Sequence, residues 1–332
     1  MNTPHSLAPF LQSFFTSRLL RQMQVSSHTI SSYRDTFRLL LRFLDKRLRK
    51  PPSSLLLEEI EAPLIVAFLD DLENQRGISP RSRNLRLSAI RSFFRYLSFE
   101  LPTHAAQIQR VLAIPPKRYH RSLVGFLSRP EAEALLQAPN LTNWAGRRDR
   151  MLILMALQTG LRLSEMITLK REDIFLKAGA HVRVMGKGRK ERCTPLAKRT
   201  ESVLREWLKE PDRGDEGLVF TNARGGRLSA DGVQYCISKH VATASVGCQS
   251  LGKKRVSPHI LRHTAAMELL LAGVDRTVIA LWLGHESIET TQIYLDANLA
   301  MKEQALAKVQ PLEAKLRRYK PDDTLLSFLN DL

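Results

Sequence analysis

Along the first hundred residues, apolar side chains recur at intervals of three and four. Phe10, Phe14 and Leu19 fall at helical spacing. A second set, Ile30, Tyr33, Phe37, Leu40 and Leu44, follows Ser26 and Ser27, either of which can cap a helix there. Pro51 and Pro52 end that run, and a third helix is expected over roughly residues 62–75. The clearest helix is the fourth, with Ser79 as N-cap, Pro80 in the first turn and a run to about Leu97. Leu87, Ile90, Phe94 and Leu97 form its apolar stripe. Asn84, Ser88, Arg91 and Arg95 form a polar, basic stripe about 120° away, at roughly 100° per residue. Arg81, Arg83 and Arg86 crowd its start, where the helix dipole disfavours cations and an arriving anion would relieve the conflict. The alternative is a solvated basic face.

The pattern lapses over AIPPKRYHRSLV (113–124), with two prolines and four basic residues, Lys117 and Arg118 among them. Such a linker could track a nucleic-acid backbone. The domain boundary belongs here, leaving residues 1–112 as an all-helical domain and 113–125 as the linker. Helical periodicity then resumes. Ser128 caps a helix, and a longer one over 143–159 places Met151, Leu152, Leu154, Met155 and Leu157 inside, with Gly160 as C-cap. Arg162 follows that end, beside a short helix over 163–169. Val182 and Val184 alternate with polar neighbours, Gly186 to Lys190 turns, and a second strand follows, giving a β-hairpin with Lys187 at its tip. Helices are expected over 202–209 and 231–244, with a strand and turn in LVFTNARGGRLS (218–229) between them. The fold class is mostly α in two domains, the second carrying a small antiparallel sheet. Near the end, Lys315, Arg317, Arg318 and Lys320 precede a short amphipathic segment holding Leu325, Leu326, Phe328, Leu329 and Leu332. That segment must dock, on its own domain or in a groove of a neighbouring protomer.

Charge narrows the function. Lys+Arg number 51 against 33 Asp+Glu, a formal +18 in 332 residues. That excess favours a polyanionic partner, nucleic acid first. A membrane surface is the rival, but apolar runs such as MLILMAL (151–157) fall far short of the ~20 residues a span needs. Three cysteines, none in C-x-x-C spacing, fit a reducing compartment. With no secretory signal read at the start, a soluble intracellular protein is expected.

The chemistry concentrates in residues 257–295. His259 and Arg262, three apart, share a helix face. His285 follows Gly284, where the helical pattern breaks, and Tyr294 lies nine residues on. Upstream stand Arg162 in QTGLRLSEM and Lys187 in MGKGRKER. Together these suit nucleophilic attack on a phosphodiester. Charge building on the non-bridging oxygens needs a directional cation. No acidic cluster stands beside these motifs to hold Mg²⁺, whereas guanidinium is planar, permanently charged and bidentate to phosphate. A tyrosine, with an unperturbed pKa of about 10, needs a histidine to take its proton, and a lysine on the hairpin can protonate the leaving oxygen. A covalent intermediate would conserve the phosphodiester energy, and Gly186-Lys187-Gly188 alone is no P-loop. His259 and His263 have metal-ligand spacing, but Arg262 between them repels a cation and there is no HExxH, so neither metal nor cofactor is expected.

The motifs TGLRLSE (159–165), GKGRKER (186–192), SPHILRH (257–263) and LGHESIETTQIY (283–294) closely resemble those of the tyrosine recombinases, the Xer and phage integrase group with its transposon-borne relatives. Ser26, Thr29 and Tyr33 look like that family's core-binding domain, and the resemblance covers about residues 5–305. It implies a C-shaped clamp of a helical-bundle core-binding domain and a catalytic domain (126–307) with the DNA breaking–rejoining fold. It also implies that Arg162, His259 and Arg262 contact the scissile phosphate, with His285 assisting. Lys187 would be general acid, Tyr294 the nucleophile forming a 3′-phosphotyrosyl link, and Glu165 a support. Duplex DNA is the implied partner, met by Arg81, Arg83, Arg91, Arg95, Lys117, Arg118 and Arg189, in a homotetramer or a hetero-tetramer with related recombinases. A cytoplasmic, nucleoid-associated bacterial protein follows. The 38 residues after Tyr294 exceed a typical Xer tail. Residues 308–332 are therefore expected to form an extension that docks on a protomer, as in a mobile-element enzyme. The rivals are a type IB topoisomerase, disfavoured by the N-terminal domain and short hairpin, and a DNA-binding accessory protein that never cuts.

Overall fold

The computed structural model describes residues 5–119, 124–177, 179–186, 190–211, 214 and 217–284. Lys187, Arg189, His285, Tyr294 and the 308–332 extension lie outside the described residues. The chain divides into two compact units, Met1–Arg121 and Ser122–Leu332. No helix among the described residues is long and apolar enough to cross a membrane.

In the first unit, α1 (Leu7–Ser13) runs into a π-helical stretch (Phe14–Gln22), followed by α2 (Ser27–Leu48), α3 (Ala62–Arg76), α4 (Pro80–Glu100) and α5 (Ala105–Leu112). Local chemistry sets the ends. The Ser26 hydroxyl accepts from the Thr29 amide, the Ser79 hydroxyl accepts from the Ser82 amide, and Gly77 closes α3 in the left-handed region. The core is aromatic. Phe14 lies edge-on to Phe93 and Phe37, with ring centroids 5.3 and 6.2 Å away, and Leu44, Ile65, Phe68, Leu87, Ile90 and Leu97 complete it.

Two expectations for α4 change. Arg83, proposed as a nucleic-acid contact, is only 4% exposed and sits between Asp70 (3.4 Å) and Glu73 (3.1 Å) of α3. The reason is its phase: position 83 precedes Leu87 by one turn, so it shares the apolar stripe, where a guanidinium must be paired. The polar stripe is also partly occupied. Asn84 Nδ2 donates to the Lys117 carbonyl (2.8 Å), the Lys117 amide donates to Asn84 Oδ1 (2.9 Å), and Arg91 donates to the Ile114 carbonyl. The segment after α5 has no regular structure, so its backbone groups take side-chain partners instead.

The second unit contains α6 (Arg129–Gln137), α7 (Trp144–Thr159), α8 (Leu163–Ile167), β1 (Ile174–Phe175), β2 (His181–Met185), β3 (Glu191–Pro195), α9 (Lys198–Trp207), α10 (Ala230–Ala244), α11 (Gln249–Gly252), α12 (Pro258–Leu271) and α13 (Arg276–Leu283). The central helix, α7, packs on α6, α9 and α12. It buries Met151, Leu152, Ile153 and Met155, while Leu154 and Leu157 are only half-buried. The sheet is antiparallel in the order β1-β2-β3, with Val182 opposite Thr194 and Val184 opposite Arg192. The strand expected over 218–229 is absent. Leu218 and Thr221 make only isolated bridges, and the Asn222 carboxamide folds the turn by accepting from the Arg224 and Gly226 amides.

Gly160 joins α7 to α13. Its φ of +63° is left-handed, and a Cβ there would stand 2.5 Å from Leu283 Cδ2. Gly160→Ala is expected to cost at least about 1–3 kcal/mol of unfolding free energy, measured by chemical denaturation. An unchanged midpoint would show that this contact does not constrain the unit.

Candidate active site

α13 ends against three arginines. Its last carbonyls have no intrahelical donors and carry the negative end of the helix dipole. The Trp282 carbonyl accepts from Arg192 Nε (3.2 Å), Leu283 from Arg262 Nη2 (2.7 Å) and Gly284 from Arg162 Nη2 (2.8 Å). The three cations come from three elements. Arg192 is on β3, Arg262 on α12, and Arg162 is the residue that starts α8. Gly284 has φ +65°, and a Cβ there would meet the Arg192 guanidinium at 2.9 Å. Only glycine lets the backbone approach that closely.

One carboxylate organises the cations. Glu165 accepts from the Arg162 amide (2.8 Å) and from Arg162 Nη1 (3.0 Å), closing a capping box on α8. Both its oxygens also pair with Arg192, at 2.9 and 2.8 Å, in a fork. Burial alone would push the Glu165 carboxyl up. The hydrogen bonds from Arg192 and Arg162 outweigh it and hold the group below the usual carboxylate range. Arg262 is buried on α12, where its Nη1 also donates to the Gly160 carbonyl. A glycine-ended helix therefore presents a carbonyl to a cation on each side of Arg262.

His259 is exposed in the first turn of α12, and its ring centroid lies 6.5 Å from that of half-buried His263. Burial foremost, then the neighbouring His259 and Arg262, push the His263 imidazole down to about 4. His263 is thus neutral at pH 7.

Of the six residues expected at the reaction centre, the fold brings Arg162 and Arg262 to adjacent carbonyls of one turn, with His259 on the Arg262 helix. Lys187, His285 and Tyr294 fall outside them, though their flanks are fixed. The hairpin that carries Lys187 closes with the Gly186 amide on the Lys190 carbonyl (2.8 Å), and a Cβ on Gly186 would meet Arg192 at 3.2 Å. His285 directly follows the carbonyl that Arg162 holds. Arg192 was missed from sequence. The available signal was its place opposite Val184 at the inward phase of the hairpin, where an arginine requires a buried partner.

The expected DNA contacts are all in the first unit, apart from Arg189, which is outside the described residues. Arg81, Arg95 and Arg118 are exposed, and Lys117 is exposed and paired with Glu73. Arg91 is half-buried and committed to the Ile114 carbonyl, and Arg83 is buried.

Known proteins match this chain over both units. The profile of the Phage integrase family covers residues 125–301, and that of the Phage integrase, N-terminal SAM-like domain covers residues 13–100. The integrase/recombinase y4rC of Sinorhizobium fredii is 67% identical over 327 residues, 98% of each chain. Tyrosine recombinase XerD of Pseudomonas putida is 32% identical over 306 residues, 90% of this chain and 96% of its own. Among solved structures, the XerH site-specific recombinase bound to palindromic difH substrate, in a post-cleavage complex, aligns with a TM-score of 0.65. Its identity is 23%, over 84% of this chain and 79% of that one, a likeness of fold.

Two outcomes test this geometry. Arg192→Ala leaves Glu165 buried with one cation fewer and is expected to cost about 3–5 kcal/mol of stability. Because the Glu165 carboxyl is depressed, its contribution is full above the unfolded value of about 4.3 and is lost as pH falls through the lower folded value. Glu165→Gln is expected to remove that part of the acid slope in denaturation curves. An identical slope in wild type and variant would contradict the pairing.

Proposed function

The chain belongs to the phage integrase family, the tyrosine recombinases, site-specific recombinases that cut and rejoin DNA strands, and we propose that it does so on mobile DNA through Tyr294. In this reading the Tyr294 oxygen attacks the scissile phosphorus. A 3′-phosphotyrosyl bond forms as the bond to the 5′ oxygen breaks, and Lys187 delivers the proton to that oxygen. Arg162 and Arg262 balance the charge on the non-bridging oxygens, while His259 and His285 hydrogen-bond the phosphate and handle the phenol proton. A second strand's 5′ hydroxyl then reverses the step and rejoins.

The observation that carries this is the pair of bonds from Arg262 to Leu283 and from Arg162 to Gly284, one residue before His285. Two cations from elements a hundred residues apart meet at the point where the chain enters the LGHESIETTQIY motif. Arg162 keeps 26% of its side chain exposed, so its fork is not consumed by Glu165 and Gly284. His259 offers an open imidazole one turn from Arg262. Neither role calls on a metal.

The remaining assignments follow from the same reading. Residues 1–112 form the core-binding domain, 113–125 the linker and 126–307 the catalytic domain. The protein acts on duplex DNA in the bacterial nucleoid as a tetramer, and residues 308–332 dock on the next protomer. Arg81, Arg95, Lys117 and Arg118 are its phosphate contacts in the first domain, with Arg189 beside the hairpin lysine. Arg83 and Arg91 leave that set because they are buried and half-buried, one between two carboxylates and the other on a backbone carbonyl, whereas Lys117 stays exposed beside Glu73.

A nicked suicide substrate tests the chemistry. Wild-type protein is expected to trap covalently on it, and Tyr294→Phe to bind without an adduct. Binding by wild type with no adduct would leave only an accessory role. Salt titration tests the surface. Arg81→Ala and Arg95→Ala are each expected to lower the slope of log K against log salt by about 1, and Arg83→Met to leave it unchanged. An unchanged slope for Arg95→Ala would remove α4 from the DNA face.

A further inference from the structure

Three side chains in the first unit that carry none of the roles assigned above converge. His5 Nδ1 lies 3.2 Å from Glu58 Oε1, and His104 Nε2 lies 3.0 Å from the same oxygen. All three donor atoms fall within 4.8 Å of one another. The imidazoles meet edge-on at 5.0 Å, and the outer nitrogen of His104 lies 3.2 Å from Thr103 Oγ1. We propose that His5, Glu58 and His104 form a zinc site that clips the N-terminal segment to the helical domain.

Geometry comes first. Zinc bonds of about 2.0–2.1 Å in a tetrahedron put neighbouring donors roughly 3.3–3.4 Å apart. The two observed separations lie within a few tenths of an ångström of that edge. The donor set is the right one, two neutral imidazoles and one carboxylate. Glu58 supplies the one carboxylate, its Oε1 within reach of both rings. The donors are positioned by backbone, not by chance rotamers. The His5 carbonyl accepts from the Leu57 amide (2.8 Å), the His5 amide donates to Glu58 Oε1 (3.1 Å), and the Leu7 amide donates to the Leu55 carbonyl (2.9 Å). His104 is buried at the start of α5.

The same distances suit hydrogen bonds, so the question is whether protons or a cation lie between the atoms. If Thr103 accepts the Nδ1 proton of His104, the Nε2 lone pair is left facing the carboxylate and a cation can bridge them; if the Thr103 hydroxyl donates instead, an Nε2 proton fills the gap and no ion binds. The first arrangement, an imidazole oriented through its outer nitrogen, is the usual support of a metal-bound histidine. Glu58 keeps 36% of its side chain exposed, which gives an ion a way in and leaves the fourth position to water. No sequence spacing announces the site, because its members come from positions 5, 58 and 104 and meet only when the helices pack.

The full-length chain, stripped with a chelator, is titrated with Zn²⁺ and followed by calorimetry and melting temperature. Uptake of one ion per chain with a raised melting temperature is expected, reversed by chelator. Glu58→Gln and His5→Ala should each weaken binding by roughly tenfold or more and abolish the melting shift. His104→Ala should do the same. Because His104 is buried and its loss could disturb folding, the half-exposed His5 decides the matter. A stripped chain that takes up no Zn²⁺ overturns the proposal. So does uptake that survives both His5→Ala and Glu58→Gln, or that disappears instead with His263→Ala on α12.

Discussion

The carbonyl end of one short helix, α13, holds three guanidinium groups together. Like charges brought this close repel, and what offsets the repulsion is a row of oriented dipoles on one side and Glu165 on the other. The arrangement is over-determined. Arg192 bonds both the helix end and the carboxylate, Arg162 does the same, and Arg262 bridges the ends of α7 and α13. Each arginine therefore has little rotational freedom left. A phosphate would meet cations already in place, with the ordering entropy largely settled on folding.

That constraint reaches outward. Gly160 and Gly284 must be left-handed so that their helices stop where the arginines need carbonyls. Trp282 locks α13 to α7 from the far side, donating its indole N–H to the Thr159 carbonyl (3.1 Å). The second unit keeps a second ionic cluster apart from this one: Arg148 pairs with Asp149, whose other oxygen lies 2.9 Å from His240 Nε2. It is buried against α10 and completed by a bond from Arg148 Nη1 to the Thr221 carbonyl (3.0 Å), so it stabilises the core.

Much of this was legible in the sequence, for identifiable reasons. The helices of the first unit announced themselves through Ser26, Ser79, Pro80 and the apolar stripe of α4. The hairpin followed from the alternation of Val182 and Val184 ahead of two glycines, Gly186 and Gly188. Arg162, His259 and Arg262 were found because their motifs are specific as a set. What the sequence hid was partnership. Arg83 looked like one more surface cation until α3 brought Asp70 and Glu73 against it, although its phase with Leu87 was already visible. Arg91 was assigned outward because nothing local shows that the segment after α5 returns to lie along α4. Arg192 stood inside a recognised motif, yet its role depends on Glu165 and Trp282, 27 and 90 residues away. The strand expected after Gly217 shrank to isolated bridges because its backbone is taken up by the Leu169 carbonyl and by the Trp207 and Arg148 side chains rather than by a neighbouring strand.

The end of α13 is expected to gather Arg162 and Arg262 onto a single phosphate. A crystal structure of Tyr294→Phe protein on a DNA site would test it most directly. Both guanidinium groups are expected within hydrogen-bonding distance of the same phosphate, with the Leu283 and Gly284 carbonyls still accepting from them. Guanidinium groups bound to different phosphates, or an Arg262 that has left the Leu283 carbonyl to reach the DNA, would contradict it.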